Sequence, residues 1–253
     1  MGVGAWLGCF VADHSGSLLH LTEPNPATVI YFIDDVTNTA KAYNINTGER
    51  ITGQDVNLGV GDWKGGFREG NRWFFIDNFN NKLVAYNPDT RRHTPTFDVN
   101  LGVGDWKGGV AVRQYSPLTG WYRVLLDGNT GKVWINGVRD STKDIQASSV
   151  GGGTITNVVF GGRTIASDGS EAIVHFLRRK QGSETGVPAK LLAWSMNNNQ
   201  RKTDYDIDLA DENVTGGCDR TGYYANNPWI LDDGADRAWL YDCLLYTSPS
   251  PRG

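Results

Sequence analysis

Short apolar runs alternate with polar, turn-forming links along most of the chain. Residues 72–78 (RWFFIDN) are followed by the link 79–81 (FNN) and then by residues 82–88 (KLVAYNP). Each run is about five residues long, aromatic or branched, and bounded by Asn, Asp or Gly, the pattern of strands joined by hairpins. No stretch carries apolar residues at helical spacing over three or more turns, so the units read as strands. Residues 29–50 repeat the pattern at an offset of 43, matching Asp34 with Asp77, Ala42 with Ala85, Tyr43 with Tyr86 and Thr47 with Thr90.

The same offset carries an unchanged segment: DVNLGVGDWKGG occupies residues 55–66 and again 98–109. Self-similarity at about 40 to 50 residues marks a repeat architecture whose units bury their apolar faces by stacking on one another. One unit contains a Gly-rich strand, a buried strand, a tight turn, a third strand and a looser fourth, which describes a propeller blade. A third unit continues through residues 122–137. A fourth contains TNVVFGG (156–162), with a polar insertion at 178–188, and a fifth runs from VTGG (214–217) to residue 242. Pairs of glycines mark the units at Gly65-Gly66, Gly108-Gly109, Gly161-Gly162 and Gly216-Gly217. The expectation is an all-β propeller of four-stranded blades forming one domain over residues 1–242, with about five blades visible and six in the intact protein. Residues 243–253 (CLLYTSPSPRG) interrupt the last blade and resemble translated sequencing-adapter read-through, so the domain is expected to be truncated.

Composition narrows the function classes. Nine Trp, ten Tyr and nine Phe supply large side chains for packing between sheets, and 32 Gly suit a chain of turns. A formal net charge of −4 and no Lys/Arg cluster on an aromatic background argue against nucleic acid. The mildly apolar start lacks a basic leading region and is too short to span a bilayer, so neither a signal peptide nor a membrane segment is expected. Cys9, Cys218 and Cys243 make an odd count without CxxC spacing and read as buried thiols. Asn213-Val214-Thr215 is the one glycosylation-type triplet and leaves the compartment open.

The hairpins at 29–49 and 72–90, together with TNVVFGG, resemble the senescence marker protein, gluconolactonase and luciferin-regenerating-enzyme family over about three units. The resemblance implies a six-bladed propeller with a divalent cation in its central channel and, in the enzymes, hydrolysis of lactones. That family draws its metal ligands from a Glu-Gly-Pro sequence and from inner-strand Asn and Asp residues. This chain has no Glu-Gly-Pro and no Asn-Asp-Gly, and its Asp-Gly pairs at 127, 168 and 233 read as turns.

The residues expected to face the channel are those before the glycine pairs: Asp62, Asp105, Asn157 and Asn213. Converging on an axis, they would offer oxygen ligands to calcium or another divalent cation. The alternative is that each closes the turn entering its blade by bonding to backbone N–H groups. Trp63 and Trp106 could stack on a sugar or another flat ligand, or pack between sheets. Asp34, Asp77, Asp127 and Asp232 end second strands, where turn formation explains them. His14, His20, His93 and His175 are scattered, with no HExxH, Gly-x-Ser-x-Gly or phosphate-binding motif. Two functions remain: a cation-dependent lactone hydrolase acting on a small sugar-like lactone, or a non-catalytic propeller that binds a protein or glycan through its loops.

Overall fold

Among the described residues, the apolar runs form strands and the Asn- or Asp-bearing links between paired strands form turns. The structure is a computed structural model. It describes residues 6–12, 29–114, 120–150, 154–166, 169–179, 189–209, 214–218, 229–232 and 237–240. Sheet one contains β1 (Trp6–Ala12), β2 (Val29–Asp34), β3 (Thr39–Asn44) and β4 (Val56–Asn57). Sheet two contains β5 (Trp63–Glu69), β6 (Arg72–Asp77), β7 (Lys82–Asn87), β8 (Arg92–His93) and β9 (Val99–Asn100). Sheet three contains β10 (Trp106–Gln114), β11 (Gly120–Asp127), β12 (Thr130–Ile135), β13 (Val138–Arg139) and β14 (Ile145–Gln146). Sheet four contains β15 (Ile155–Ala166), β16 (Gly169–Arg178), β17 (Ala189–Ser195), β18 (Gln200–Arg201) and β19 (Ile207–Leu209). Sheet five contains β20 (Val214–Cys218), β21 (Trp229–Asp232) and β22 (Arg237–Leu240).

The strands of each sheet pair antiparallel, and the first strand of each touches the first strand of its neighbours: β1 with β5, β5 with β10, β10 with β15, β15 with β20, and β20 with β1. These five strands line the axis of a closed ring. Apolar clusters fill the gaps between sheets. Phe10, Tyr31, Trp63, Trp73 and Phe75 lie between sheets one and two, and Phe67, Phe74, Ile76, Trp106 and Leu125 between two and three. Burying such side chains stabilises the ring by about 1.5 to 3 kcal/mol each. The described residues form five sheets. The sixth expected for the intact protein is not among them, and sheets five and one share the cluster of Trp6, Cys9, Phe32, Cys218 and Leu231.

Two expectations are corrected. Cys9 and Cys218 are not thiols but a disulfide; their separation of 209 residues hid the pairing until the ring brought β1 beside β20. Cys243 lies outside the described residues. The glycine register of the fourth unit also differs. Trp63, Trp106, Ile155 and Val214 each open the first strand opposite the end of the second, with a bulge following. Gly108 then faces Leu126, Gly216 faces Leu231, and Asn157 faces Leu177. Asn157-Val158 therefore stands where sheets two, three and five carry glycine pairs and sheet one carries Gly8-Cys9, and Gly161-Gly162 lies further along β15, paired to Val174 and Ile173.

The looser fourth strand has a physical cause. In sheet two, β8 and β9 both pair with β7, parted by a single turn of 3-10 helix, Pro95–Phe97. An acidic side chain fills the resulting gap in the ladder. The Ala85 N–H donates to Asp98 (2.9 Å), as Ala42 does to Asp55 (3.0 Å), Val133 to Asp144 (3.3 Å) and Ala193 to Asp206 (3.0 Å). An arginine five residues earlier pairs with the carboxylate in three of the sheets, through Arg50, Arg139 and Arg201, and His93 takes that place in sheet two.

Candidate functional site

The repeated segment builds one loop twice. Asn57 Oδ1 accepts from Gly59 N and Asn100 Oδ1 from Gly102 N, both at 2.9 Å. Gly59 and Gly102 have φ of 74° and 76°, left-handed values that favour glycine. The Trp63 indole N–H donates to Gly59 O (3.0 Å) and the Trp106 indole N–H to Gly102 O (3.1 Å), so each ring lies beneath its own loop. A Cβ on Gly61 would come within 2.8 Å of the Trp63 ring, and one on Gly104 within 2.9 Å of the Trp106 ring. The loop also docks on the preceding blade. Trp63 N donates to Asp35 and Gly61 N to Asn38; one blade on, Trp106 N donates to Asn78 and Gly104 N to Asn81.

Both indoles are buried, at 2% exposure for Trp63 and 0% for Trp106. Their rings pack in the clusters between sheets, and neither offers a free face to a flat ligand. Lys132 lies over Trp106, 5.0 Å from the ring centroid. At the loop tips stand Val60 and Val103, 92% and 95% exposed, and in the turns beside them Val36 and Phe79, 73% and 75% exposed. Antiparallel alternation puts second-to-third-strand turns and sheet-to-sheet connections at the same end of every blade. All four apolar side chains therefore share one face of the ring.

Of the cation-ligand candidates, Asp62, Asp105 and Asn157 lie among the described residues, each in a setting of its own. Asp62 is ion-paired to Lys64 (2.5 Å) and accepts from Asn78 Nδ2 (2.9 Å). Asp105 stands 67% exposed, paired to Lys107 (3.2 Å). Asn157 is 5% exposed, with its carboxamide over Gly108 of the neighbouring inner strand: a Cβ on Gly108 would fall 1.6 Å from its Oδ1. Asn213 lies outside the described residues. Among the described residues there is no group of three or more His, Cys, Asp or Glu placed to hold a metal ion. His93 pairs with Asp98 (2.9 Å), and His175 Nε2 lies 3.1 Å from Tyr205 O. His14 and His20 lie outside the described residues.

Of the aspartates that end second strands, Asp34 and Asp77 bond to the turns that follow them. Asp34 accepts from Val36 N and Thr37 Oγ1 and is ion-paired to Lys41; Asp77 accepts from Phe79 N and Asn80 N. Burial raises the Asp62 pKa, but Lys64 and Asn78 outweigh it and hold the carboxyl below its usual range. Asp34 and Asp127 are lowered in the same way, against burial, chiefly by Lys41 and Lys132. Because these folded pKa values are depressed, their stabilisation is present above the unfolded value of about 3.9. It is lost as pH falls through the lower folded values. The urea midpoint is accordingly expected to hold from neutral pH to about 4.5 and to fall below about 3.5. A midpoint flat across the acid range would contradict these assignments.

No protein-family profile and no curated protein matches the chain. Solved structures share its fold. The chain is similar to a component of the nidogen/laminin complex, at 10% identity and a TM-score of 0.50, covering 95% of this chain and 81% of that one. It is similar to the glutaminyl cyclase of Myxococcus xanthus at 10% identity and a TM-score of 0.55, covering 84% of each. The molecule is a β-propeller. Among the described residues no helix is long and apolar enough to cross a membrane.

Proposed function

We propose that this propeller is a non-catalytic binding module and that the face carrying Val36, Val60, Phe79 and Val103 takes a protein partner. One observation carries the reading. Around the tip of the repeated loop, the fold accounts for the residues it repeats. Asparagine closes the turn, the glycines permit its backbone and the close indole, tryptophan packs, and aspartate pairs with lysine. The valine at its tip packs against nothing, yet it occurs in both copies. Apolar side chains grouped on a surface mark interaction sites, whereas single ones need no explanation.

A second reading is a divalent-cation-dependent lactone hydrolase, with calcium or another divalent ion held by Asp62, Asp105, Asn157 and Asn213. Its support is the family resemblance of the hairpins and the position of Asn157, which places a polar side chain where the other inner strands carry glycine.

One set of variants separates the two. A photo-crosslinking residue at position 103 is expected to capture a protein that the same residue at position 70, in the turn at the opposite end of the blade, does not. Capture is expected to disappear in Val60→Asp with Val36→Asp. Equal capture from both positions, or none, would overturn the binding reading, and a glycan bound on that face would replace the protein partner. Saturable calcium binding with lactone turnover, both abolished by Asp62→Ala with Asp105→Ala, would establish the hydrolase instead.

A further inference from the structure

Four of the five junctions in the ring are crossed by the chain itself, which runs from the end of one sheet into the first strand of the next. The fifth, where β20 lies against β1, is crossed by no such connection between neighbouring elements. The seam is held by four kinds of contact. Gly216 sits against the other strand so closely that a Cβ there would lie 3.2 Å from Leu7 O and 3.4 Å from Gly8 Cα. Thr215 Oγ1 donates to Trp6 O at 3.3 Å. An apolar cluster spans the seam, and within it Cys9 is bonded to Cys218.

We infer that the Cys9–Cys218 disulfide is a redox-governed latch on the ring. It is made in an oxidising compartment and keeps sheet five on sheet one, and its reduction frees that seam to open. In the opening step a dithiol reductant attacks one sulfur through its thiolate. A mixed disulfide forms, and the reductant's second thiol resolves it. The Cys9–Cys218 bond breaks, two electrons and two protons pass to the protein as two thiols, and the reductant leaves as a disulfide. Both cysteines are buried, so the attacking thiolate reaches them only when β20 and β1 part. Reduction of the folded protein is therefore limited by opening of the seam. Disulfides persist in secreted and other oxidising settings and are rare in the cytosol, so the latched ring is the form expected outside the cytosol.

The test uses the full chain purified without reductant. Alkylation under denaturing conditions is expected to label one cysteine of three, Cys243; three labelled cysteines would overturn the latch. Hydrogen exchange is then followed with and without dithiothreitol. Reduction is expected to speed exchange in β1, β20 and β21 by about tenfold or more while β6 and β7 keep their rates. Cys9→Ser with Cys218→Ser is expected to match the reduced protein and to ignore dithiothreitol. If that variant does not fold, reduction of the unsubstituted chain carries the test alone. A uniform change across the ring, or no change, would show that the bond does not govern the seam.

Discussion

Replacing Trp106 by alanine is expected to destabilise the fold by about 3 to 5 kcal/mol, the range for truncating a large buried aromatic residue. The ring is fully buried between sheets two and three with Phe67, Phe74, Ile76, Leu125 and Trp134. Its indole N–H also closes the loop onto Gly102 O. Trp106→Phe keeps most of the packing and is expected to lose about 1 kcal/mol with that hydrogen bond. The measurement is the urea midpoint, with the slope of the transition checked for each variant. An alanine variant as stable as the parent, but impaired in binding a flat ligand, would mean that the ring serves a ligand and not the core.

Gly108→Ala is expected to lower stability strongly, and Asn157→Gly in the same chain is expected to restore it. The added methyl would occupy the place of the Asn157 carboxamide, only 1.6 Å from its Oδ1. Overpacking of this kind costs typically about 1 to 3 kcal/mol, and more where the neighbour cannot move. The backbone at Gly108 is not left-handed, so steric overlap is the whole penalty and removal of the asparagine side chain relieves it. Thermal midpoints of the parent, both single variants and the pair form a double-mutant cycle. Purely additive effects would show that Asn157 and Gly108 do not meet at the axis.

Much of the fold was legible because hairpins write locally. The runs at 29–34, 72–77 and 122–127 each end on an aspartate and reveal strands, turns and blade period together; Asp34 and Asp77 close the turn that follows, whereas Asp127 accepts from Asp105 N instead. Register inside the ring was less legible. A glycine pair is a sound marker only where it follows the bulge at the strand entry, and β15 runs on past that point to a second pair. The clamp between Arg50 and Asp55, Arg139 and Asp144, and Arg201 and Asp206 was legible but missed. Its five-residue spacing sits in segments read simply as loose strands, and His93 breaks the pattern of residue type. The Cys9–Cys218 bond could not be read from spacing at all, because only closure of the ring makes those residues neighbours. Of the candidate site, Val60 and Val103 were invisible as surface residues: an apolar residue between glycines reads equally well as buried, and only the position of the loop exposes it.

The broken fourth strands have a consequence for behaviour in a crowded solution. An open outer edge presents unpaired N–H and C=O groups that can recruit a strand from another molecule. In sheets two to four that edge is cut into pieces of two or three residues by a turn of 3-10 helix. Where the ladder is interrupted, an aspartate already occupies the N–H of the third strand that the missing pair would leave open. The rim of the ring is thus a poor template for strand addition, so a protein built almost wholly of β-structure carries its own protection against edge-to-edge polymerisation.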